Sequence, residues 1–292
     1  MSWRTVVISS RCKLDCKMGY MVVRAEETTR VYLDEIALLL IENPAVSLTG
    51  CLLKELAEKK IRVIFCDEKR SPYAELAPYY GSYDTSRKIR TQIAWSEPIK
   101  GHIWTEIVSE KIRNQAKILS EQNHLQESLM LRGYLSEIAF GDATNREGHA
   151  AKVYFNALFG MDFTRTADNP INAALNYGYG ILLSAFNREI CANGYFTQLG
   201  LFHDNMFNFY NLSCDLMEPF RTLVDRAVLS AIPVEFESKQ KHDLLQVLNE
   251  TVQIDGTHQT VLNAIKLYVR SVFEALNEED VSKIRFYRWE EK

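Results

Sequence analysis

The chain has 292 residues, 47% of them hydrophobic and 25% charged, and a net charge of −4. This length allows two domains, and the composition is that of a globular protein. The negative charge excludes nucleic-acid binding driven by bulk charge, so DNA binding would require a local basic surface or metal ions. No apolar run approaches 18 residues and no signal peptide is recognisable, so we expect a cytoplasmic protein.

Short β-branched and aromatic runs dominate the first 70 residues. They have the length and composition of strands at 3–9, 20–24, 30–33, 45–48 and 62–66. Two segments, 34–42 and 52–59, are predicted to be helical. Residues 1–70 therefore predict a small β-rich domain and favour a β-sandwich.

Residues 71–98 show little periodicity and are predicted to be a linker. Arg87, Lys88 and Arg90 lie within this segment. We interpret them as part of a solvated loop in preference to a phosphate-contacting patch.

From residue 99 to 292 the pattern predicts a larger all-α domain. Asn169, Pro170 and Gly194 occupy the N-cap, the first helical position and the position just past the end of one helix. The tail, 283–292, alternates basic and aromatic residues, and we favour a packed tail or strand over a nucleic-acid stacking arm. Helical segments are predicted at 104–119, 125–138, 147–159, 170–192, 218–231, 243–249 and 260–277.

Glu147 begins an apolar helical stripe that continues through Ala150, Ala151 and Tyr154. An ionised carboxylate in this position requires a cation, a metal or the protein surface. The simpler interpretation is an exposed first helical turn, where the helix dipole favours an acid.

His203 is followed by three acids, the adjacent Asp204 and, further along the chain, Asp215 and Glu218. A lone histidine is more often a hydrogen-bonded core or surface residue than a ligand. Asp215 and Glu218 also fit a helix capping box. On the predicted helix Glu218 shares a polar face with Arg221 and Asp225, and an arginine there suits phosphate.

Two glutamates and one histidine suit a hard divalent cation, Mg²⁺ or Mn²⁺. The chain contains no phosphate loop, dinucleotide-binding glycine motif, HExxH or GxSxG. ATP hydrolysis, hydride transfer and serine hydrolysis are therefore not favoured.

Four stretches together carry a family resemblance: 32–72, EGHAAKVYF at 147–155, DNPINAALNYGYGIL at 168–182 and GLFHDNMFNFYNLSCDLMEPFR at 200–221. With these motifs in this order, the chain resembles the CRISPR-associated integrases that insert new spacers, in the form found beside type II systems. The resemblance implies an α+β two-domain protein with a dimerising N-terminal β-sandwich and an α-helical catalytic domain. It also implies a metal-dependent DNA endonuclease and integrase, in which 3′-OH ends of a short DNA fragment attack the CRISPR repeat. The expected partners are double-stranded DNA, a second copy of the chain, and a small ferredoxin-like protein that completes a heterohexamer.

Carried over by motif, the metal ligands would be Glu147, His203 and Glu218. Many members have aspartate at the third position, so Asp215 is the second choice. Arg221, Tyr154 and Asn172 are expected to line the DNA site. The alternative hypothesis is a non-catalytic DNA-bridging scaffold with a vestigial acidic pocket.

Overall fold

The computed structural model describes residues 4–68, 70, 72–76 and 82–289. The chain divides into two compact units, Met1–Tyr83 and Asp84–Lys292. Within the described residues, no helix combines the length and the apolar character needed to cross a membrane.

The first unit is rich in strands, as predicted. One sheet has the order β1-β5-β7-β8, with β8 antiparallel to its neighbour and the other pairs parallel. The second has the order β4-β3-β2-β6. Residues of both sheets and of helix α1 share one hydrophobic core, but a sandwich arrangement of the sheets stays a prediction. The elements are β1 Arg4–Ile8, β2 Lys13–Lys17, β3 Tyr20–Arg24, β4 Thr28–Tyr32, β5 Ile36–Ile41, β6 Ser47–Leu48, α1 Gly50–Glu58, β7 Arg62–Cys66 and β8 Pro72–Glu75.

The helix predicted at 34–42 is wrong, because this segment forms strand β5. Every residue of β5 is buried, and the strand pairs with β1 on one side and β7 on the other. A strand buried on both faces has a continuous apolar sequence, which periodicity cannot distinguish from a buried helix. The helix predicted at 52–59 is confirmed by α1.

The second unit is mainly helical and begins before residue 99. The predicted linker, 71–98, contains strand β8 and helix α2, so Arg87, Lys88 and Arg90 lie on a helix. Residues 69, 71 and 77–81 lie outside the described residues. The elements are α2 Thr85–Ile93, α3 Glu97–Glu121, α4 Leu125–Tyr134, α5 Arg146–Phe159, α6 Pro170–Ala192, α7 Asn211–Met217, α8 Arg221–Ser230, α9 Ser238–Leu245, β9 Thr251–Ile254, β10 Thr257–Thr260 and α10 Val261–Glu278.

Helix α3 is buried on nearly all sides and supports the site described below. It packs against α4, α5, α8 and α10. Its apolar residues Ile107 and Ile112 are fully buried, and Glu110, Lys111 and Asn114 are buried as well. Polar groups buried in this way require partners, and those of Lys111 define the candidate site.

The helix ends predicted from sequence are confirmed for α6. The Asn169 side chain accepts a hydrogen bond from the Asn172 backbone N–H, and Gly194 has a φ of +86° just beyond the helix. Gly178 allows α6 to approach α8 closely, because an added Cβ would lie 2.4 Å from Val224 Cγ1. This approach brings Tyr179 on α6 next to the polar face of α8.

The tail is packed, as predicted. Tyr287 and Trp289 are buried, and Arg288 forms a β-bridge with Gln253 of the β9–β10 hairpin, which sequence reasoning missed. Residues 290–292 lie outside the described residues.

Candidate active site

Glu147 lies in the first turn of α5, and local sequence fixes it there. The Asp142 carboxylate accepts hydrogen bonds from the backbone N–H groups of Arg146 (2.8 Å) and Glu147 (3.0 Å). Asn145 caps the same helix by accepting from the Gly148 N–H. The first-turn interpretation is therefore confirmed, but the Glu147 side chain is only 30% exposed and also binds a cation.

That cation is the Lys111 ammonium, which lies between two carboxylates. It donates to Glu147 Oε1 and, at 2.5 Å, to Glu218 Oε2. The other oxygen of Glu218 accepts from Arg221 Nε at 2.9 Å. Two acids that are 71 positions apart in the chain thus share one buried positive charge.

The pKa values of this cluster favour its charged forms. Burial by itself would raise the pKa of Glu218, but the charges of Arg221 and Lys111 outweigh burial and lower it to about 2. Burial would lower the pKa of Lys111, but Glu218 and Glu147 outweigh burial and raise it. Lys111 and Glu218 are therefore an ionised, mutually dependent pair at neutral pH.

The predicted capping role of Asp215 is wrong, because Asp215 lies inside α7. Its fully buried carboxylate accepts hydrogen bonds from the backbone N–H groups of Leu201, Phe202 and His203. It also pairs with His203 Nδ1 at 2.5 Å. Gly200 is required by this arrangement, since an added Cβ would lie 2.2 Å from the His203 carbonyl oxygen.

Asp215 therefore orients the imidazole of His203. The hydrogen bond that His203 Nδ1–H donates to Asp215 raises the pKa of His203 against the opposing effect of burial. A carboxylate on Nδ1 is the usual support for a histidine that ligates a metal through its other ring nitrogen. Because Asp215 is occupied in supporting His203, the geometry favours Glu218 over Asp215 as the acid that would complete a ligand set with Glu147 and His203.

The structure does not bring the three predicted ligands together as a finished metal site. Within residues 4–68, 70, 72–76 and 82–289, no three His, Cys, Asp or Glu side chains are placed to hold one metal ion. Lys111 instead bridges Glu147 and Glu218. The donor set still fits a divalent ion, because two carboxylates already share one cation and the charges of both act on His203. Metal binding by these residues stays a prediction.

A cavity of about 230 Å³ opens beside the two glutamates. Arg221 and Arg165 line it, with their guanidinium groups 4.8 and 5.4 Å from the ring centroid of Tyr179. Asp225 lines it too, so the polar face predicted for Glu218, Arg221 and Asp225 is confirmed.

Asp225 is a buried acid. Sequence analysis placed it on the polar face shared with Glu218 and Arg221 but assigned it no function. Its carboxylate accepts hydrogen bonds from the hydroxyls of Tyr154 (3.0 Å) and Tyr179 (2.5 Å). Burial raises the pKa of Asp225 to about 6, even though both hydroxyls favour the ionised form. Asp225 is thus protonated at a higher pH than Glu218, whose pKa is lowered to about 2.

Tyr154 and Asn172 were predicted to line the DNA site, but neither is among the residues that line the cavity. Tyr154 is fully buried behind Asp225 and is not among the residues that line the cavity. The Asn172 amide donates to the carbonyls of Thr164 and Ala167, both at 2.8 Å, and accepts from Arg165. Asn172 therefore acts by holding Arg165, which sequence reasoning missed.

Comparison with known proteins gives the family. The profile described as CRISPR associated protein Cas1 matches residues 5–252. The CRISPR-associated endonuclease Cas1 of Neisseria meningitidis serogroup C (strain 8013) is 34% identical over 98% of this chain and 96% of its own length.

Two solved structures share the fold at 17% identity. One is a casposase bound to integration product, with a TM-score of 0.80 over 96% of this chain and 94% of that chain. The other is a Cas6-RT-Cas1–Cas2 complex, with a TM-score of 0.76 over 96% of this chain and 36% of that longer chain. The resemblance first indicated by the sequence motifs is thereby confirmed, and the chain belongs to the Cas1 family of CRISPR associated proteins.

Proposed function

We propose that the chain is a metal-dependent DNA endonuclease and integrase that inserts short foreign DNA fragments into a CRISPR array. The observation that carries this proposal is a pair of carboxylates, the half-buried Glu147 and the buried Glu218, that share one buried cation beside an arginine-lined cavity. The name of the Neisseria relative and the casposase integration complex support the same class of chemistry.

The residues that would hold Mg²⁺ or Mn²⁺ are Glu147, His203 and Glu218. When bound, such an ion lowers the pKa of a hydroxyl group and neutralises charge on a phosphoryl oxygen. Asp215 holds His203 with Nδ1 facing the carboxylate, which leaves Nε2 as the ring nitrogen able to act as a ligand.

The arginines give the cavity its affinity for phosphate. Arg221 and Arg165 present planar guanidinium groups that suit phosphate oxygens, and both are held over the ring of Tyr179. Their places are fixed by Glu218 and Asn172 respectively. A DNA backbone entering the cavity would therefore meet positive charge that is already oriented.

The proposed assembly is a homodimer that combines with a small ferredoxin-like second protein into a heterohexamer on double-stranded DNA. The Cas1–Cas2 complex among the structural neighbours supports a protein partner of this kind.

The test is an integration assay with the purified chain, its small partner, a short duplex with free 3′-OH ends and a supercoiled plasmid carrying leader and repeat. We expect joining that depends on Mg²⁺ or Mn²⁺ and is abolished by Glu147→Gln and His203→Ala. Matched controls are Glu137→Gln, an acid 48% exposed in an ion pair with Arg146, and His149→Ala, on the exposed face of α5. Full joining by Glu147→Gln, or joining without a divalent ion, would refute the proposal.

The same assay tests the scaffold alternative. That hypothesis explained Glu218 by helix capping, but Asp215 and Glu218 form no capping box. A scaffold would bind DNA with the usual salt dependence and give no joining with any divalent ion.

A further inference from the structure

No sequence motif pointed to Lys111, and the proposed chemistry does not use it. Its side chain is 8% exposed, and it extends from α3, a helix whose middle turns are almost entirely buried. Two of the three hydrogen-bond donors of its ammonium go to Glu147 and Glu218.

The ammonium of Lys111 lies between the two carboxylates that would hold a shared ion. It contacts Oε1 of Glu147 and Oε2 of Glu218, so an ion held by both residues would meet the ammonium there. The second oxygen of Glu218 is engaged by Arg221. An incoming ion therefore has to share or replace the contacts of Lys111.

The local charge makes sharing unfavourable. Lys111, Arg165 and Arg221 bring three positive charges to the cavity, and the carboxylates of Glu147, Glu218 and Asp225 are enough only to balance them. A divalent ion added next to the ammonium would face like charge in a poorly solvated space, where repulsion is stronger than in water. Removing the ammonium charge would relieve that repulsion and leave both carboxylates available to the ion.

We propose that Lys111 is a resident cation that competes with the divalent ion for Glu147 and Glu218, and so sets the metal affinity of this site. This inference rests on the metal dependence proposed above. It predicts that the site binds its ion more weakly than the same site without the ammonium. If Lys111 were only a structural counter-ion, its removal would loosen the site and leave metal affinity unchanged or weaker.

The experiment measures Mn²⁺ binding to the full-length chain without DNA, by calorimetry and by the electron paramagnetic resonance signal of free Mn²⁺. Lys111→Met removes the charge at similar length, and Lys111→Gln keeps a hydrogen-bond donor. Lys100→Met is the matched control, because Lys100 lies on the same helix and pairs at 2.5 Å with a different acid, Glu97.

We expect both Lys111 variants to bind Mn²⁺ at least about tenfold more tightly than the native chain, and Lys100→Met to bind it as the native chain does. Adding Glu147→Gln to Lys111→Met should abolish the gain. Variants that bind no more tightly than the native chain would overturn the inference while leaving the proposed function intact. Absence of Mn²⁺ binding in the native chain and both variants would instead refute the proposed metal site itself.

Folding of the variants is checked by circular dichroism with and without Mn²⁺. The inference predicts that Mn²⁺ raises the melting temperature of both Lys111 variants more than that of the native chain, because the ion replaces the missing charge. Failure of both variants to fold even with Mn²⁺ present would count against it.

Discussion

The carboxylate of Asp215 offers the sharpest test of how this site is built. We expect Asp215→Asn to destabilise the fold, because the two oxygens of Asp215 each serve two donors. Oδ2 accepts from the backbone N–H groups of Leu201 (2.6 Å) and Phe202 (3.1 Å), and Oδ1 from the backbone N–H and Nδ1 of His203 (3.2 and 2.5 Å). The amide of asparagine can serve only one of these pairs, and its NH₂ group would face the other pair of donors.

The magnitude follows from the two bonds lost. Hydrogen bonds to a charged group contribute about 1.5–3 kcal/mol each, and the donors left behind are buried. We therefore expect Asp215→Asn to lower the free energy of unfolding by about 4 kcal/mol. If His203 ligates a metal as proposed, metal affinity should fall about 10–100-fold, because the imidazole loses its support.

Part of this loss should depend on pH. Asp215 raises the pKa of His203 in the folded chain, so the stabilisation from this pair is complete below the unfolded value of about 6.5. It is lost as pH rises through the raised folded pKa. The penalty of Asp215→Asn should therefore be larger at pH 5.5 than at pH 8.5.

The assay is urea unfolding with a metal chelator present, at both pH values. Asp204→Asn is the control, because Asp204 is next to His203 in sequence but exposed. A loss below about 1 kcal/mol, or a penalty that does not change with pH, would refute the reasoning.

Three further substitutions test other contacts by urea unfolding, and the third also by DNA binding. The folded pKa of Asp225, about 6, exceeds the unfolded value of about 3.9, so Asp225 costs about 3 kcal/mol of stability as pH rises from 4 to above 6. Asp225→Asn should remove that dependence, and stability curves that stay parallel would contradict it. Gly200→Ala should cost about 2 kcal/mol, because its Cβ would lie 2.2 Å from the His203 carbonyl oxygen; an unchanged unfolding midpoint would show that the loop yields freely. Asn172→Ala should cost about 2–3 kcal/mol and weaken DNA binding, because Arg165 loses its support; native-like DNA binding would argue against that role.

Local chemistry was enough to predict most of the helical unit. The ends of α6 follow from Asn169 and Pro170 at one end and Gly194 at the other, since caps and left-handed positions depend on a few adjacent residues. The polar face of Glu218, Arg221 and Asp225 was also predictable. Their sequence spacing places them on one side of a helix, and the cavity confirms that they lie together.

Predictions were wrong or missing where the structure of a segment depends on residues that are far away in the sequence. Strand β5 has the composition of a buried helix, and only its neighbours β1 and β7 make it a strand. The spacing of Asp215 and Glu218 fits a capping box. In the structure, however, the Asp215 carboxylate accepts hydrogen bonds from the backbone of the loop around Leu201.

Lys111 shows the same limit most clearly. Along the chain it is one lysine in a helix, and no local signal marks it as buried. Its role appears only when folding brings Glu147 and Glu218 to the same ammonium. The sequence alone determined which side chains carry charge and, for Glu147, Arg221 and Asp225, which helix they occupy. The tertiary structure decided which charges meet, because the electrostatic energy of a buried group depends on the distances and burial that the whole fold imposes.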